Sequence, residues 1–292
     1  MNNNQPIGDE EYSSNKQSRP SRKYPWAILV VVVLFVIVPF ISWYGTWFGR
    51  PLSDSKMEEY LHDQNKPRNV QHALSQIGNR IIDSDQAVKQ FYPDVVAAAQ
   101  NKQAEVRMTA AWAMGQDNTY QDFHSALLTL LQDPSTGVRH NAALGLVRFS
   151  DASGRQELVA MLKPLVVTAE VPGTIELVVK EPGIAVAASG ALARVREASG
   201  NTISIHAVEA GRVDAISIVD GAAVESGTAL MTLAPSTEQV WEALRALYII
   251  GTPEDIAEIQ RYARPSPAIP DYIQKQAAST VEAIRDRAGS TR

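Results

Sequence analysis

Five histidines offer this chain its readiest metal ligands and proton carriers, yet His62, His72, His124, His140 and His206 share no face. Two ligands on one side of a helix stand three or four residues apart, and no two of these histidines do. No metal site is expected. His72 and His140 fall on helical stretches beside apolar positions, where a histidine whose hydrogen bonds are met by its neighbours is the ordinary case. Ser189, in Ala187-Ala188-Ser189-Gly190-Ala191, lacks the Gly-x-Ser-x-Gly frame of a nucleophile elbow. Pro172-Gly173-Thr174 and Glu181-Pro182-Gly183 are turns without the Gly-x-x-x-x-Gly-Lys of a phosphate loop. Glu58, Glu59, Glu254 and Asp255 belong to first helical turns or solvated faces, where negative charge suits the helix dipole. The absence of cysteine excludes disulfides, thiolate metal ligands and thiol catalysis. No catalytic, cofactor-binding or metal-ligating residue is assigned, no cofactor is expected, and the chain is read as non-enzymatic.

The bulk properties agree. At 292 residues, 45% hydrophobic and 20% charged, the chain has material for more than one core. A net charge of −5 and basic residues dispersed among carboxylates exclude a nucleic-acid surface.

At the N-terminus, residues 1–23 are rich in Asn, Ser and Gln, without apolar periodicity, and are expected to form a disordered cytoplasmic tail. Residues 24–48 are expected to be a transmembrane helix. From Pro25 to Phe48 there is no charge, and 24 residues span roughly 36 Å at about 1.5 Å each. Trp26 at one end and Trp43, Tyr44 and Trp47 at the other suit the interfaces, and Pro39 introduces a tolerable kink. Lys16, Arg19, Arg22 and Lys23 before the span, against Arg50 and Lys56 after it, put the tail in the cytoplasm and the rest outside it. The bilayer is thus one expected partner, and a bacterial inner membrane with a periplasmic or extracellular bulk the expected location.

Between residues 53 and 163 the apolar spacing is helical and repeats in a register of 32. Val106, Arg107, Ala110, Ala111 and Met114 recur as Val138, Arg139, Ala142, Ala143 and Leu146. Val95, Val96 and Ala99 precede the first set as Leu127, Leu128 and Leu131 precede the second. One apolar face with small alanines at the close approach describes stacked helix pairs. A looser copy, Val70, Ala73, Leu74 and Ile77, returns late in the chain as Val240, Ala243, Leu244 and Leu247, so residues 237–288 continue the same solenoid. Pro265, Pro267 and Pro270 set off a last helix near 271–288 with a charged outer face, suited to a cap. The run from Ala104 to Gly115, followed by Leu127 to Val147, resembles HEAT-like repeats of the phycobilisome-lyase type. The resemblance implies an ion-pair ladder between the Asp of a turn and the Arg of the next helix, here Asp133 with Arg139, and so a structural role for Arg107 and Arg139.

Residues 165–235 follow another rule. In a register of 38, Ala169, Gly173, Gly183, Ala185, Val186, Ala191 and Leu192 recur as Ala207, Gly211, Gly221, Ala223, Val224, Ala229 and Leu230. β-Branched residues punctuated by glycine describe short strands and tight turns. Half a unit this small cannot bury a face alone, so two copies are expected to close on each other about a pseudo-two-fold axis. The pattern Asp220-Gly221-x-x-Val224-x-x-Gly227-x-x-Leu230 resembles the barrel-sandwich domain of biotinyl/lipoyl carriers and of membrane-fusion adaptors. In carriers the modified lysine lies eleven residues before the glycine that opens the second half. Here that position is Gly200, which has no amine, and the nearest lysine, Lys180, is expected in a strand of the first half. Adaptors separate the two halves by a long helical hairpin, whereas only Glu197–Asn201 intervenes here.

The expected fold is α+β and multidomain: a transmembrane helix, then an α-solenoid of HEAT-like repeats interrupted by a small all-β barrel-sandwich domain. The expected function is that of a membrane-anchored scaffold or accessory subunit whose partners are other membrane or periplasmic proteins. Two alternatives are a membrane-fusion-type transport adaptor and a carrier or cofactor-handling protein.

Overall fold

The computed structural model describes residues 30, 32, 33, 35, 51–63 and 65–290. It divides into two units, 1–51 and 52–292. In the first, Val30, Val32, Val33 and Phe35 are helical and exposed. The expected tail, 1–23, and all but those four residues of the expected span, 24–48, lie outside the described residues. Among the described residues no helix is long and apolar enough to cross a membrane.

The second unit mixes helix and strand. Its helices are α1 (Asp54–Leu61), α2 (Pro67–Ile82), α3 (Tyr92–Ala98), α4 (Ala104–Met114), α5 (Gln121–Leu130), α6 (Thr136–Arg148) and α7 (Arg155–Ala160). After eight strands come α8 (Thr237–Ile250), α9 (Ile256–Ala263) and α10 (Asp271–Ser290). Local chemistry starts several of them. Pro67 occupies a first turn where its missing N–H costs nothing, and Ser236 Oγ accepts from Gln239 N at 3.2 Å. Helices α2, α4, α6, α8 and α10 form a row, each packed on the next. The partners α3, α5, α7 and α9 pack on α4, α6, α8 and α10 respectively. The registers read from the sequence set this arrangement. Val106, Ala110, Ala111 and Met114, and their copies Val138, Ala142, Ala143 and Leu146, are all fully buried, and the eight residues of the looser copies are buried too. One apolar core runs from Met57 to Leu146 and a second from Ala143 to Ile284, with Leu131 packed against both.

Since α7 packs on α8, the β module interrupts a single helix pair rather than a link between two pairs. Three contacts rejoin the pair across it. Arg155 Nη1 lies 2.6 Å from Asp255 Oδ1, Tyr262 donates its hydroxyl to Leu162 O at 2.7 Å, and Gln239 Nε2 donates to Met161 O at 3.2 Å. Asp255 is therefore not on a solvated face: it is buried, ion-paired and bonded to Thr252 N in a capping box.

The module contains β1 (Leu165–Thr168), β2 (Gly173–Leu177), β3 (Ala185–Val186), β4 (Ala191–Arg196), β5 (Thr202–His206), β6 (Gly211–Ile216), β7 (Ala223–Val224) and β8 (Ala229–Pro235). One antiparallel sheet has the order β1-β8-β6-β3 and the other β5-β4-β2-β7. Exchanging β1–β4 with β5–β8 converts one order into the other, the pseudo-two-fold that the 38-residue register requires. The side chains obey it as well: Ile175 and Val213, Leu192 and Leu230, and Val195 and Leu233 are buried pairs in a core of their own. So do the glycines. A Cβ on Gly173 would meet Arg196 O at 2.3 Å, and one on Gly211 would meet the equivalent Ala234 O at 2.6 Å. Lys180 lies in the loop beyond β2, not in a strand, and its Nζ pairs with Asp220 Oδ2 at 2.7 Å. Asp220 Oδ1 accepts from Leu177 N, while Val178 N and Val179 N both donate to Leu192 O, so the regular β2–β4 register ends before Lys180.

Candidate docking groove

The row of helices leaves a groove of about 730 Å³ across α4, α6, α8 and α10. Its depth comes from small residues. A Cβ on Gly115 would lie 2.9 Å from Gly145 Cα, so α4 and α6 approach backbone to backbone in the floor. Trp112 lies over Gly78, where an added Cβ would come within 2.2 Å of the indole, and α2 thereby holds the ring at the groove wall. Arg148 and Leu144 enter from α6, Arg245, Tyr248 and Ile249 from α8, Gln276 and Ser279 from α10. Tyr248 and Ile249, adjacent on α8, are each about half exposed (46% and 56%) and leave apolar surface at the groove. Arg245 stacks beside Trp241, 5.9 Å from the ring centroid. Crowding by the groove walls pushes the Glu242 carboxyl above its ordinary range, and Arg245 opposes that shift.

A second cleft of about 280 Å³ shares Asn141, Leu144 and Glu242 with the groove and continues it to the β module, where Ala188, Ser189, Val208 and Glu209 form the wall. Met108 and Val208 present exposed apolar surface on its opposite sides. The seam between helices and strands is held here by His140. The ring is buried, Nδ1 donates to Glu209 Oε1 at 2.9 Å, and Nε2 lies 3.9 Å from Glu157 Oε2. Among the described residues neither His140 Nε2 nor Glu157 Oε2 has a hydrogen-bond partner.

The other residues singled out in the sequence do not converge on one site. His62 Nε2 faces Asp94 at 3.4 Å, His124 faces Asp151 at 2.7 Å, His72 bonds Gln76, and His206 Nδ1 donates to Ser189 O. Among the described residues no three His, Cys, Asp or Glu form a group able to hold a metal ion. Ser189 does have a positive φ of 63°, but its copy is Gly227 at 85°, and both donate their N–H to the matching alanine, Ala207 and Ala169, at 2.7 Å. Its strain belongs to a repeated turn. Gly200 is also left-handed, with φ of 85°, in the hairpin turn between β4 and β5.

The ion-pair ladder runs differently from the expected one. Asp133 is bound by Arg107 of the preceding repeat, at 2.6 and 2.8 Å in a two-pronged pair, while Arg139 donates to the Asp133 carbonyl and pairs with Glu157 at 3.2 Å. Geometry decides this. Arg107 Nη1 likewise donates to the carbonyls of its own turn, Asn101 and Lys102, and each Arg then extends forward to the next repeat. The Asp133 carboxyl is pushed up by burial, but bonds from Arg107 and Ser135 N outweigh that and hold it below the usual carboxylate range.

Comparison with known proteins places these observations. No curated protein matches. A solved structure of a single-chain, multi-domain long-chain acyl-CoA carboxylase is similar over 35% of this chain at 19% identity, with a TM-score of 0.23. The chain spans 11% of that protein's length, and a likeness so slight carries no argument about fold or activity. The family model for HEAT repeats matches residues 93–169, that is α3 to α7 and the entry into β1. The match supports the HEAT-like repeat reading of this helical region, an architecture that suggests a protein-interaction scaffold, within a chain of mixed helix and strand.

Proposed function

We propose that the chain is a membrane-anchored, non-enzymatic scaffold or accessory subunit whose groove receives a protein partner outside the cytoplasm. The observation that carries this reading is the groove, where Trp112, Arg148, Arg245, Tyr248 and Ile249 meet around small residues. Aromatic residues and arginine dominate the centres of protein interfaces, and solenoids offer such concave surfaces to partners. The charge-free run before Arg50 supports the anchor. The exchange symmetry of the two sheets supports a barrel-sandwich module of the biotinyl/lipoyl kind, and glycine at position 200 supports a module that carries no acyl group.

Affinity purification from solubilised native membranes tests the reading, with the parent chain and Trp112→Ala/Tyr248→Ala side by side. Partners held by the parent and absent from the variant are the expected outcome. Equal recovery by both would remove the groove from the account. Intact mass tests the module: the unmodified mass is expected, and a biotinyl or lipoyl increment would convert the reading to that of a carrier.

A further inference from the structure

We infer that the groove takes an amphipathic α-helix of the partner whose two ends carry opposite charge, acidic over Arg148 and Arg245 and basic over Glu105 and Glu242. The inference rests on the docking reading and adds the chemistry of what docks.

The helical conformation follows from the walls. The elements lining the larger cleft are helices whose backbone groups are already bonded within themselves. An extended peptide would need side-chain donors in place of a strand edge. Two of the lining amides are already committed, Gln116 Nε2 to Trp112 O at 2.7 Å and Asn141 Nδ2 to Met108 O at 3.0 Å. A helix satisfies its own backbone and asks only for side-chain contact. Trp112, Leu144, Tyr248 and Ile249 then meet its apolar stripe.

The charge pattern follows from the two ends. The larger cleft contains two arginines and a single carboxylate, Glu242, which stands where it joins the smaller one. At that end Arg148 forms no salt bridge among the described residues. The smaller cleft contains Glu105, Glu209 and Glu242 and no Lys or Arg. His140 engages Glu209 there, which leaves Glu105 and Glu242 to face an occupant. One groove therefore changes sign along its length, and complementary charge on the occupant both steers and selects it.

Three synthetic helices of about 18 residues, roughly 27 Å long, test this against the full-length chain by fluorescence anisotropy at fixed salt. All share a Leu/Ala stripe; the polar face is Glu in one half and Lys in the other, all Glu, or all Lys. The segregated peptide should bind at least about tenfold more tightly than either uniform one, and gain helical circular dichroism on binding. Arg148→Glu/Arg245→Glu, two surface changes, should weaken the segregated peptide by a similar factor and strengthen the all-Lys one. Equal binding of all three, each weakened by Trp112→Ala, would overturn the charge pattern while leaving docking intact. Binding without gain of helix would overturn the helical occupant, and no binding of any peptide would overturn the inference while the membrane capture above still judges the docking reading.

Discussion

The helical array and the β module solve the same problem, building a core from a repeated sequence, in opposite ways. In the β module the two copies face each other, the exchange of β1–β4 with β5–β8 closes the unit, and its core shares no residue with the helices. In the array each copy leans on the next, and the cores pass from Met57 to Ile284 through shared residues such as Leu131. Closure makes the module portable. Openness leaves the array dependent on every layer, and explains why Arg155, Tyr262 and Gln239 reattach its helices across the insert.

The largest effect should come from breaking a layer of the array. Ala111 and Ala143 are fully buried between helices, and an added Cβ on Gly154 would come within 2.7 Å of Ala143 Cα. Ala111→Asp or Ala143→Asp puts an unpaired carboxylate into that contact and should cost more than about 3 kcal/mol. Urea titration followed at 222 nm would show it; midpoints unchanged from the parent would mean that these faces are not load paths of the array. Smaller, and confined to the module, is the effect of Gly173→Ala or Gly211→Ala. Each added methyl meets a carbonyl oxygen closer than any ordinary contact, and overpacking of this kind costs about 1–3 kcal/mol. The two variants should be equally damaging because the sites are symmetry copies, and amide exchange in β2 and β6 would report it. A much larger effect at one site than at the other would break the symmetry argument.

Acid should separate the two regions further. Five successive turns of the array, from the end of α2 to the start of α7, are each closed by a side-chain oxygen two residues ahead of the N–H it accepts: Asp85 to Ala87, Asn101 to Gln103, Asp117 to Thr119, Asp133 to Ser135 and Asp151 to Ser153, at 2.7–2.9 Å. The four aspartates all have carboxyls held below their usual range. For Asp85 the main cause is Arg80 and for Asp151 it is Ser153. For Asp117 burial acts upward and is outweighed by its bonds, first those from Thr119. A carboxyl depressed in the folded state stabilises it above the unfolded pKa of about 3.9 and loses that contribution as pH falls through the folded value. The module has Asp220, depressed by Lys180. Below about pH 4 the array should therefore lose protection from amide exchange before the module does. Simultaneous loss, or loss in the module first, would contradict this.

These turns also show what the sequence could and could not tell. The registers of 32 and 38 were legible because apolar residues and glycines repeat by type, and they placed the buried faces of both regions. The turn residues repeat at about half the helical register, as Asp85-Gln-Ala, Asn101-Lys-Gln, Asp117-Asn-Thr, Asp133-Pro-Ser and Asp151-Ala-Ser. That signal was present but lies in polar residues, where apolar periodicity does not look. Had it been followed, Asp133 would have been recognised as a turn closer with one face left for Arg107. The burial of His140 and Asp255 was not legible at all. His140 is covered by Glu209, 69 positions later, and Asp255 by Arg155, 100 positions earlier; the first follows from how the module sits on the helices and the second from how the helices rejoin across it.

The smallest effect should follow the largest change, removal of the module. Replacing Pro164–Pro235 by a short Gly/Ser linker should leave the melting of the array close to that of the parent. Leu165 pairs with Leu233 in the β1–β8 ladder, and paired residues in antiparallel strands lie about 5 Å apart, so the two cut ends are neighbours. A short linker then closes the α7–α8 pair at little more entropy than an ordinary turn. No residue of the module's core belongs to either helical core, so no cavity opens in the array. The principal loss is the Glu209 bond to His140, and solvent can replace it once the ring is uncovered. Helical circular dichroism and the melting midpoint should both persist, and peptide binding at the Arg148–Arg245 end should survive while discrimination at the Glu105 end weakens with the loss of the Val208 wall. An aggregated or unfolded product would mean that the array needs the closed module to hold α7 against α8, and that the portability argued from its symmetry is not real.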